Sequence, residues 1–262
     1  MISQTFWRGK SVIVTGGSSG IGRAIGEALG AVGARVGLIA RREDPLRAAA
    51  AAIRRLGGTA DEAACDVADA VALAAAVTAL ERRIGACEVA VASAGIHRTS
   101  WPLDAAVAAD VIDVNVKGCI HLAAATLPGM LGRRHGWFCG IASIAGVVGL
   151  PGNAVYCASK AAVAAFLESL RLDAAREGVW VTTALPGVID TPMITAAERA
   201  ASGVMPAADA ATRILRAIEC GRAEVWFPRR TAVAARMARV LPPSIRDAFL
   251  RRQPRLEESG EG

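Results

Sequence analysis

The sequence lacks the cysteine spacing and the leader segment that would mark a metal, redox or exported protein. None of its six cysteines forms a C-x-x-C pair, which argues against a zinc site and against a thioredoxin-like redox site. The first ten residues have no apolar core of the kind found in secretory signals. We therefore expect a cytoplasmic protein with reduced thiols and no bound metal.

Long apolar runs that could cross a membrane are also scarce. One stretch, residues 136–159, carries no charge, but it contains Pro151, Asn153 and five glycines, and its Val and Ile clusters are short. A membrane-spanning helix needs about 20 consecutive apolar residues. This composition instead favours a buried strand followed by a loop.

Lysine and aromatic residues are rare. The only lysines are Lys10, Lys117 and Lys160, so arginine supplies most of a net charge of +6. Aromatic residues make up 4% of the chain. A basic balance can indicate nucleic acid, a membrane surface or an anionic ligand. Because no aromatic-rich basic surface is visible, nucleic acid is the least favoured of these partners.

The basic charge is concentrated in a C-terminal extension, residues 229–262. Within it, residues 229–255 hold eight arginines against the single acid Asp247, interleaved with apolar residues. Pro242 and Pro243 divide the segment into two short amphipathic pieces. Two interpretations remain open, peripheral attachment to an anionic membrane or packing on the body of the protein or a partner subunit.

The rest of the chain predicts an α/β fold. Hydrophobic residues make up 53% of the sequence, enough to bury a parallel sheet under helices on both faces. Short β-branched runs alternate with helical periodicities, which indicates right-handed βαβ crossovers. We predict strands over Ser11–Thr15, Arg35–Ala40, Thr59–Cys65, Glu88–Ser93, Trp137–Ala142, Val179–Leu185 and Glu224–Phe227. We predict helices over Ile21–Val32, Pro45–Leu56, Ala70–Ile84, Ala154–Arg176 and Pro206–Cys220. The segment Leu103–Leu131 is predicted to be mostly helical, as one long helix or an interrupted one. The expected fold class is a doubly wound parallel β-sheet in a single domain over residues 1–228.

A glycine-rich turn lies between the first predicted strand and the first predicted helix. It comprises Thr15, Gly16, Gly17, Ser18, Ser19, Gly20, Ile21 and Gly22. Glycines let the backbone turn tightly and approach a pyrophosphate, and the helix that follows offers free N–H groups at its positive end. In this strand–turn–helix setting the turn predicts a dinucleotide site.

The same residues also match G-x-S-x-G, the nucleophile turn of α/β-hydrolases. That fold places its catalytic histidine late in the chain. The three histidines here, His97, His121 and His135, all precede the C-terminal third. A hydrolase is therefore disfavoured, and we expect each histidine to be a surface residue or a satisfied core residue.

The end of the second strand bears on which dinucleotide binds. An NAD site usually has a carboxylate there for the ribose 2′-hydroxyl. This chain has Arg41 and Arg42, whose guanidinium groups can hold a 2′-phosphate through charge-assisted hydrogen bonds. NADP(H) is favoured over NAD(H), although Glu43 and Asp44 leave dual use open. Alternatively, the two arginines only end the strand in solvent.

Tyr156, the only tyrosine of the chain, is the main candidate for proton transfer. Lys160 follows four residues later, so the two side chains share a helix face. A nearby ammonium group favours tyrosinate and lowers the pKa of the tyrosine. Ser143 precedes Tyr156 by thirteen residues, just after an apolar strand, where its hydroxyl can hold a substrate oxygen.

Together these motifs resemble the short-chain dehydrogenase/reductase family, in its order and spacing, from about Lys10 to Met193. The matching positions, beyond the glycine turn, are Asp66 with Val67, Asn115, Ser143, Tyr156, Lys160, Pro186, Gly187, Val188 and Thr191. One position departs from the pattern. The family usually has N-A-G after the fourth strand, where this chain has Ser93, Ala94 and Gly95.

The resemblance implies a Rossmann-type fold, a carbonyl–alcohol oxidoreductase activity and a role for each active-site residue. Tyr156 would be the acid in reduction and the base in oxidation. Lys160 would lower the pKa of Tyr156 and hold the nicotinamide ribose. Ser143 would orient the substrate oxygen, and Asn115 would support a proton-relay water near Lys160. Asp66 would lie on the adenine side of the cofactor. The resemblance also implies a homodimer or homotetramer.

The substrate side is less constrained by the sequence. Apolar candidates occur in a predicted substrate loop at about residues 190–205 and near the expected mouth: Pro192, Met193, Ile194, Met205, Trp101, Val147, Val148 and Leu150. Such a lining would suit a lipid-like, steroid-like or aromatic ketone; alternatively, these residues are ordinary core or dimer contacts. Sugar-like and acyl substrates stay open, as does a non-catalytic dinucleotide sensor on the same fold.

Overall fold

The computed structural model describes residues 1–99, 101–200 and 203–250, and over these the chain forms nine strands and eleven α-helices. The strands are β1 (Ser11–Thr15), β2 (Arg35–Ala40), β3 (Thr59–Ala64), β4 (Val89–Ala92), β5 (Gly136–Ile141), β6 (Val179–Pro186), β7 (Ile189–Asp190), β8 (Met205–Pro206) and β9 (Glu224–Phe227). The helices are α1 (Gln4–Trp7), α2 (Gly20–Ala31), α3 (Glu43–Arg55), α4 (Ala70–Ile84), α5 (Ala105–Ile112), α6 (Gly118–Arg133), α7 (Ala154–Arg176), α8 (Ala196–Ala200), α9 (Ala207–Glu219), α10 (Arg229–Val240) and α11 (Pro243–Leu250).

Seven strands form a single parallel sheet in the order β3-β2-β1-β4-β5-β6-β9. The chain winds outward from β1 in one direction and then returns to continue from β4 in the other. This confirms the predicted doubly wound architecture. The two short strands β7 and β8 pair with each other in a separate ribbon.

The sheet separates two hydrophobic cores, because successive side chains of a strand point to opposite faces. In β1, Ile13 belongs to one core, while Val12 and Val14 belong to the other. Helices α4, α6 and α7 cover the Ile13 face, through residues such as Leu122 and Leu167. Helices α2, α3 and α9 cover the opposite face. Both faces of the sheet are thus buried, as the near-continuous apolar strands predicted.

A capping side chain explains where α4 begins, and a π-helical turn separates α5 from α6. The Asp69 carboxylate accepts hydrogen bonds of 2.9 Å from the N–H groups of Val71 and Ala72, which caps α4. The predicted helical segment 103–131, for which one long helix and an interrupted one were both open, is interrupted, since residues 113–117 form a π-helical turn between α5 and α6. Such turns alter the backbone hydrogen-bond pattern and often occur at functional sites.

Every predicted strand and helix is present, with ends that differ by a few residues. The uncharged stretch 136–159 forms β5, a loop with a 3-10 turn at Ile144–Gly146, and the start of α7, as expected. In the described ranges no helix has the length and hydropathy needed to cross a membrane. Helix α1 and the β7–β8 ribbon were not predicted, because two-residue strands and single-turn helices have no measurable periodicity.

The C-terminal extension forms two helices, α10 and α11, which meet at the predicted proline break. Helix α10 packs on the body of the protein. Ala232 on this helix is 6% exposed and belongs to the same core as Leu167. The Arg239 guanidinium donates a 3.0 Å hydrogen bond to the carbonyl of Val147. Packing on the body is therefore observed for α10.

Candidate active site

A cavity of about 880 Å³ opens at the carboxyl ends of the central strands. Gly16 follows β1, Ser93 follows β4 and Ser143 follows β5, and all three line the cavity. Strands β1 and β4 are neighbours in the sheet although two other strands separate them in the chain. The cavity thus lies at the topological switch point, where open α/β sheets bind their ligands.

Most of the residues predicted from the sequence lie in the wall of this one cavity. They are Gly16, Ser18, Ser19, Gly20, Ile21, Gly22, Arg41, Arg42, Val67, Ser93, Ala94, Gly95, Ser143, Tyr156, Lys160, Pro186, Gly187, Val188 and Thr191. Three predicted residues do not line the cavity but contact residues that do: Thr15, Asp66 and Asn115.

The glycine turn has the close approaches that require glycine. Gly16 has a φ of 70°, and a Cβ atom there would lie 2.8 Å from the Ala94 nitrogen. A Cβ atom at Gly22 would lie 2.4 Å from the Gly16 carbonyl oxygen. The helix that follows begins after Ser19, whose side chain does not cap it, and its first residues, Gly20, Ile21 and Gly22, line the cavity. These features fit a bound pyrophosphate.

Thr15 joins the ends of two neighbouring strands. Its hydroxyl oxygen accepts hydrogen bonds from the N–H groups of Ser93 (3.2 Å) and Ala94 (3.3 Å), and its O–H donates to the Val91 carbonyl (3.4 Å). Ser93 occupies the position where the family usually has asparagine. The Ser93 hydroxyl lies 3.1 Å from where a Cβ atom of Gly22 would be, so the glycine turn and the β4 loop pack directly on each other.

Arg41 and Arg42 lie at the end of the cavity beyond the glycine turn. Arg41 makes a long ion pair of 3.7 Å with Asp66, and both side chains are about half exposed. Asp66 also accepts a 2.9 Å hydrogen bond from the Ala68 N–H. Within the described ranges, Arg42 has no ion-pair partner. One guanidinium group at this edge is therefore held by a carboxylate, and the other is available to a ligand.

Tyr156 lies in the first turn of α7, beside Ser143. Burial raises the pKa of Tyr156 to about 12, and the Ser143 hydroxyl lowers it only in part. The expectation that Lys160 lowers this pKa is not met in this structure. The reason is geometric, since the Lys160 ammonium is 5.8 Å from the centre of the tyrosine ring and is directed elsewhere.

Lys160 is 6% exposed, and its Nζ donates a 3.0 Å hydrogen bond to the Ile141 carbonyl. Burial lowers its pKa to about 8. Asn115, in the π-helical turn, is buried behind it. The Asn115 amide accepts from the Ile96 N–H (2.8 Å) and donates to the Ile96 carbonyl and the Ser159 hydroxyl, both at 3.0 Å. The Asn115 side chain thus fixes the loop after β4.

His97 lies in the cavity wall although the sequence analysis did not select it as a site residue. It lines the cavity, and its ring lies edge-on to Tyr156 with 4.7 Å between the ring centroids. Its Nε2 is hydrogen-bonded to the Asn153 side chain, which is 2% exposed. His97 is half-buried, and the loop after β4 places it in the cavity wall, a location that the expectation of a surface or satisfied core residue did not specify. The available signal was its position two residues after Gly95.

The substrate side contains some of the predicted residues and several others. Of the apolar candidates, the cavity is lined by Val148, Leu150, Pro192, Met193 and Ile194. The remaining three, Trp101, Val147 and Met205, lie outside the lining. Val147 packs against the core next to α10, and Met205 pairs with Ile189 in the β7–β8 ribbon, so both face the interior. Trp101 is 69% exposed.

Residues of α10 and α11 form a further part of the cavity wall. The sequence did not indicate this role. Their lining residues are Thr231, Ala234, Ala235, Ala238, Leu241, Ile245, Arg246 and Leu250. Alanine on α10 leaves room where a larger side chain would fill the cavity. The C-terminal extension, for which the sequence left open membrane attachment or packing on the body, thus contributes residues to the cavity wall.

The comparisons with known proteins agree with this geometry. The model of the family described as short chain dehydrogenase matches residues 10–202. An uncharacterized oxidoreductase of Myxococcus xanthus is 36% identical over 249 residues, which cover 93% of this chain and 97% of that protein. A dehydrogenase/reductase SDR family protein 7-like of Anopheles gambiae is 32% identical over 255 residues, covering 90% and 80%. The crystal structure of a short chain dehydrogenase/reductase from Burkholderia phymatum in complex with NAD superposes with a TM-score of 0.84 at 26% identity, covering 95% and 97%.

Proposed function

This chain belongs to the short-chain dehydrogenase/reductase family and is an oxidoreductase that uses a nicotinamide dinucleotide, and we propose that it is an NADP(H)-dependent enzyme interconverting a ketone or aldehyde and an alcohol. The observation that carries the proposal is the meeting of Ser143, Tyr156 and Lys160 in the cavity that begins at the glycine turn. A non-catalytic sensor would have no use for this arrangement.

The preference for NADP(H) rests on the charges at the far end of the cavity. Arg42 lines the cavity and has no ion-pair partner in the part of the chain that is described. The two acids that follow it are engaged elsewhere, since Glu43 and Asp44 pair with Arg47 at 3.4 and 3.1 Å. A 2′-phosphate would therefore meet guanidinium groups rather than a free carboxylate.

When bound, the cofactor supplies or accepts the hydride. The residues of the chain hold the substrate oxygen and move the proton. Ser143 and Tyr156 line the same cavity, and a carbonyl oxygen bound between their hydroxyls would receive a hydrogen bond from each. Tyr156 donates its proton to that oxygen in reduction and takes it back in oxidation. Lys160 would hold the ribose of a bound cofactor, and its ammonium charge near the phenol would favour the phenolate and ease the transfer.

The lining beyond Tyr156 supports an apolar substrate. Leu150, Met193 and Ile194 approach from the body of the protein, and the alanines of α10 approach from the C-terminal segment. A bulky ketone with an apolar body fits such a wall better than a sugar, whose hydroxyl groups would lose hydrogen bonds to water.

Cofactor binding and turnover test the proposal on the purified full-length chain. We expect nicotinamide fluorescence to report tighter binding of NADPH than of NADH. We expect NADPH-dependent reduction of apolar ketones, lost in Tyr156→Phe although this variant still binds NADPH. Stronger binding of NADH would refute the cofactor preference, and full activity of Tyr156→Phe would refute the proton-transfer role. A homodimer or homotetramer remains a prediction, which light scattering can check.

A further inference from the structure

Helix α10 has two different sides, one toward the cavity and one toward solvent. Ala232 holds it to the core, and Arg236 stacks on Trp226 with 4.3 Å from the guanidinium carbon to the ring centre. Ala234 and Ala238 face the cavity. The opposite side of the helix carries no packing partner among the described residues and remains open to solvent.

That outer side carries an apolar stripe made of Val233, Met237 and Val240. These residues are at positions i, i+4 and i+7, so they share one face of the helix. They are 56%, 63% and 81% exposed. At the adjoining turn, Leu241 and Ile245 are 41% and 57% exposed and also line the cavity, so they lie at its mouth. A contiguous exposed apolar surface of this kind marks a site of protein or membrane contact.

The charges around the stripe indicate which of these contacts is favoured. Residues 229–250 hold five arginines and one acid. Arg229 and Arg230 precede the stripe, are exposed, and have no ion pair with any described residue. Pairing of this surface with its copy in a symmetric dimer would bring the arginines of both chains together. An anionic lipid surface instead offers counter-charges to the arginines and an apolar layer to the stripe.

We propose that α10 and α11 form a docking surface for anionic lipid bilayers. Val233, Met237 and Val240 enter the interface between headgroups and acyl chains, while Arg229 and Arg230 contact the phosphates. Because Leu241 and Ile245 belong to both the exposed surface and the cavity wall, docking turns the mouth of the cavity toward the lipid. An apolar substrate can then enter from the bilayer without crossing water.

The test is flotation of the full-length protein with vesicles of phosphatidylcholine alone and of phosphatidylcholine with about one third phosphatidylglycerol. Flotation needs neither cofactor nor substrate, so its outcome is separate from that of the enzymatic proposal. We expect binding to the anionic vesicles, weakened by salt. The variant V233S/M237S/V240S should lose most of it, and Arg229→Gln with Arg230→Gln should weaken it on the order of tenfold.

Matched controls use residues of the same types at distant exposed positions. Val71→Ser with Leu172→Ser controls for the loss of apolar surface, and Arg55→Gln with Arg82→Gln controls for the loss of charge. Melting temperatures establish that every variant folds. The proposal is overturned if anionic vesicles are not bound, or if the stripe variant binds as the native chain does. It is equally overturned if the native chain forms a dimer in sedimentation and binds no vesicles, and the stripe variant loses that dimer.

Discussion

The Nζ of Lys160 donates its 3.0 Å hydrogen bond to the carbonyl of Ile141, at the end of β5, rather than to Tyr156. The amino group is buried between the sheet and α7, and burial lowers its pKa from 10.5 to about 8. Between these two values the unfolded chain binds the proton and the folded protein releases it. Protonated Lys160 therefore reduces the free energy of unfolding below pH 8, and this penalty disappears as the pH rises toward 10.5.

Replacement of Lys160 by methionine should consequently stabilise the protein at pH 7 while abolishing activity. The lowered pKa corresponds to at most about 3 kcal/mol. Loss of the hydrogen bond to Ile141 offsets about 1 kcal/mol of this. Thermal unfolding should show a melting temperature higher by a few degrees at pH 7, with a gain over the native chain that shrinks by pH 10. The melting temperatures of the native chain and the variant must be compared at each pH. The buried thiols are present in both proteins and also make stability depend on pH, so their effect cancels in the difference. A gain that does not change with pH would contradict the buried-charge explanation.

Gly22 and Gly132 form a matched pair for testing the glycine turn. Gly22→Ala would place a methyl group 2.4 Å from the Gly16 carbonyl oxygen, so the backbone of the turn must shift. We expect NADPH binding to weaken on the order of tenfold or more. Gly132 in α6 has open space around it, and Gly132→Ala should raise stability by about 0.5–1 kcal/mol without affecting the cofactor. Equal cofactor affinities in the two variants would show that the turn does not hold the pyrophosphate.

Arg42→Gln should selectively weaken the binding of NADPH. Its guanidinium group lines the cavity, whereas Arg41 is already engaged by Asp66 at 3.7 Å. Loss of a charge-assisted hydrogen bond costs about 1.5–3 kcal/mol, so the dissociation constant for NADPH should rise about tenfold or more. The constant for NADH should not change. Arg55→Gln, on the exposed side of α3, is the control, and equal weakening of both dinucleotides by Arg42→Gln would refute the assignment.

Ala238→Phe should narrow the substrate side of the cavity. This alanine lines the cavity from α10, and a phenyl ring would occupy part of the space available to a bulky ketone. We expect kcat/KM to fall about tenfold for bulky apolar ketones and much less for small ones. NADPH affinity should remain unchanged. Ala75→Phe, at an exposed position of α4, is the matched control. A uniform loss over all ketone sizes would place the α10 alanines outside the substrate path.

Several parts of the site could be predicted from the sequence because their residues lie close together along the chain. A glycine turn can be recognised because its glycines are needed by backbone geometry within eight consecutive residues. Tyr156 and Lys160 can be paired because a helix brings positions i and i+4 to one face. The parallel sheet could be predicted from the alternation of strands and helices, since parallel strands need crossover connections.

The tertiary structure decided what depends on contacts between distant segments. The sequence predicts that Lys160 lies near Tyr156, but only the fold buries its amino group and directs it to the Ile141 carbonyl. Burial of the phenol, rather than the lysine charge, then determines the pKa of Tyr156. His97 and α10 enter the cavity wall because of loop direction and long-range packing, neither of which has a sequence period. Burial and side-chain direction are properties of the assembled sheet and helices, and the residues nearby in sequence do not determine them.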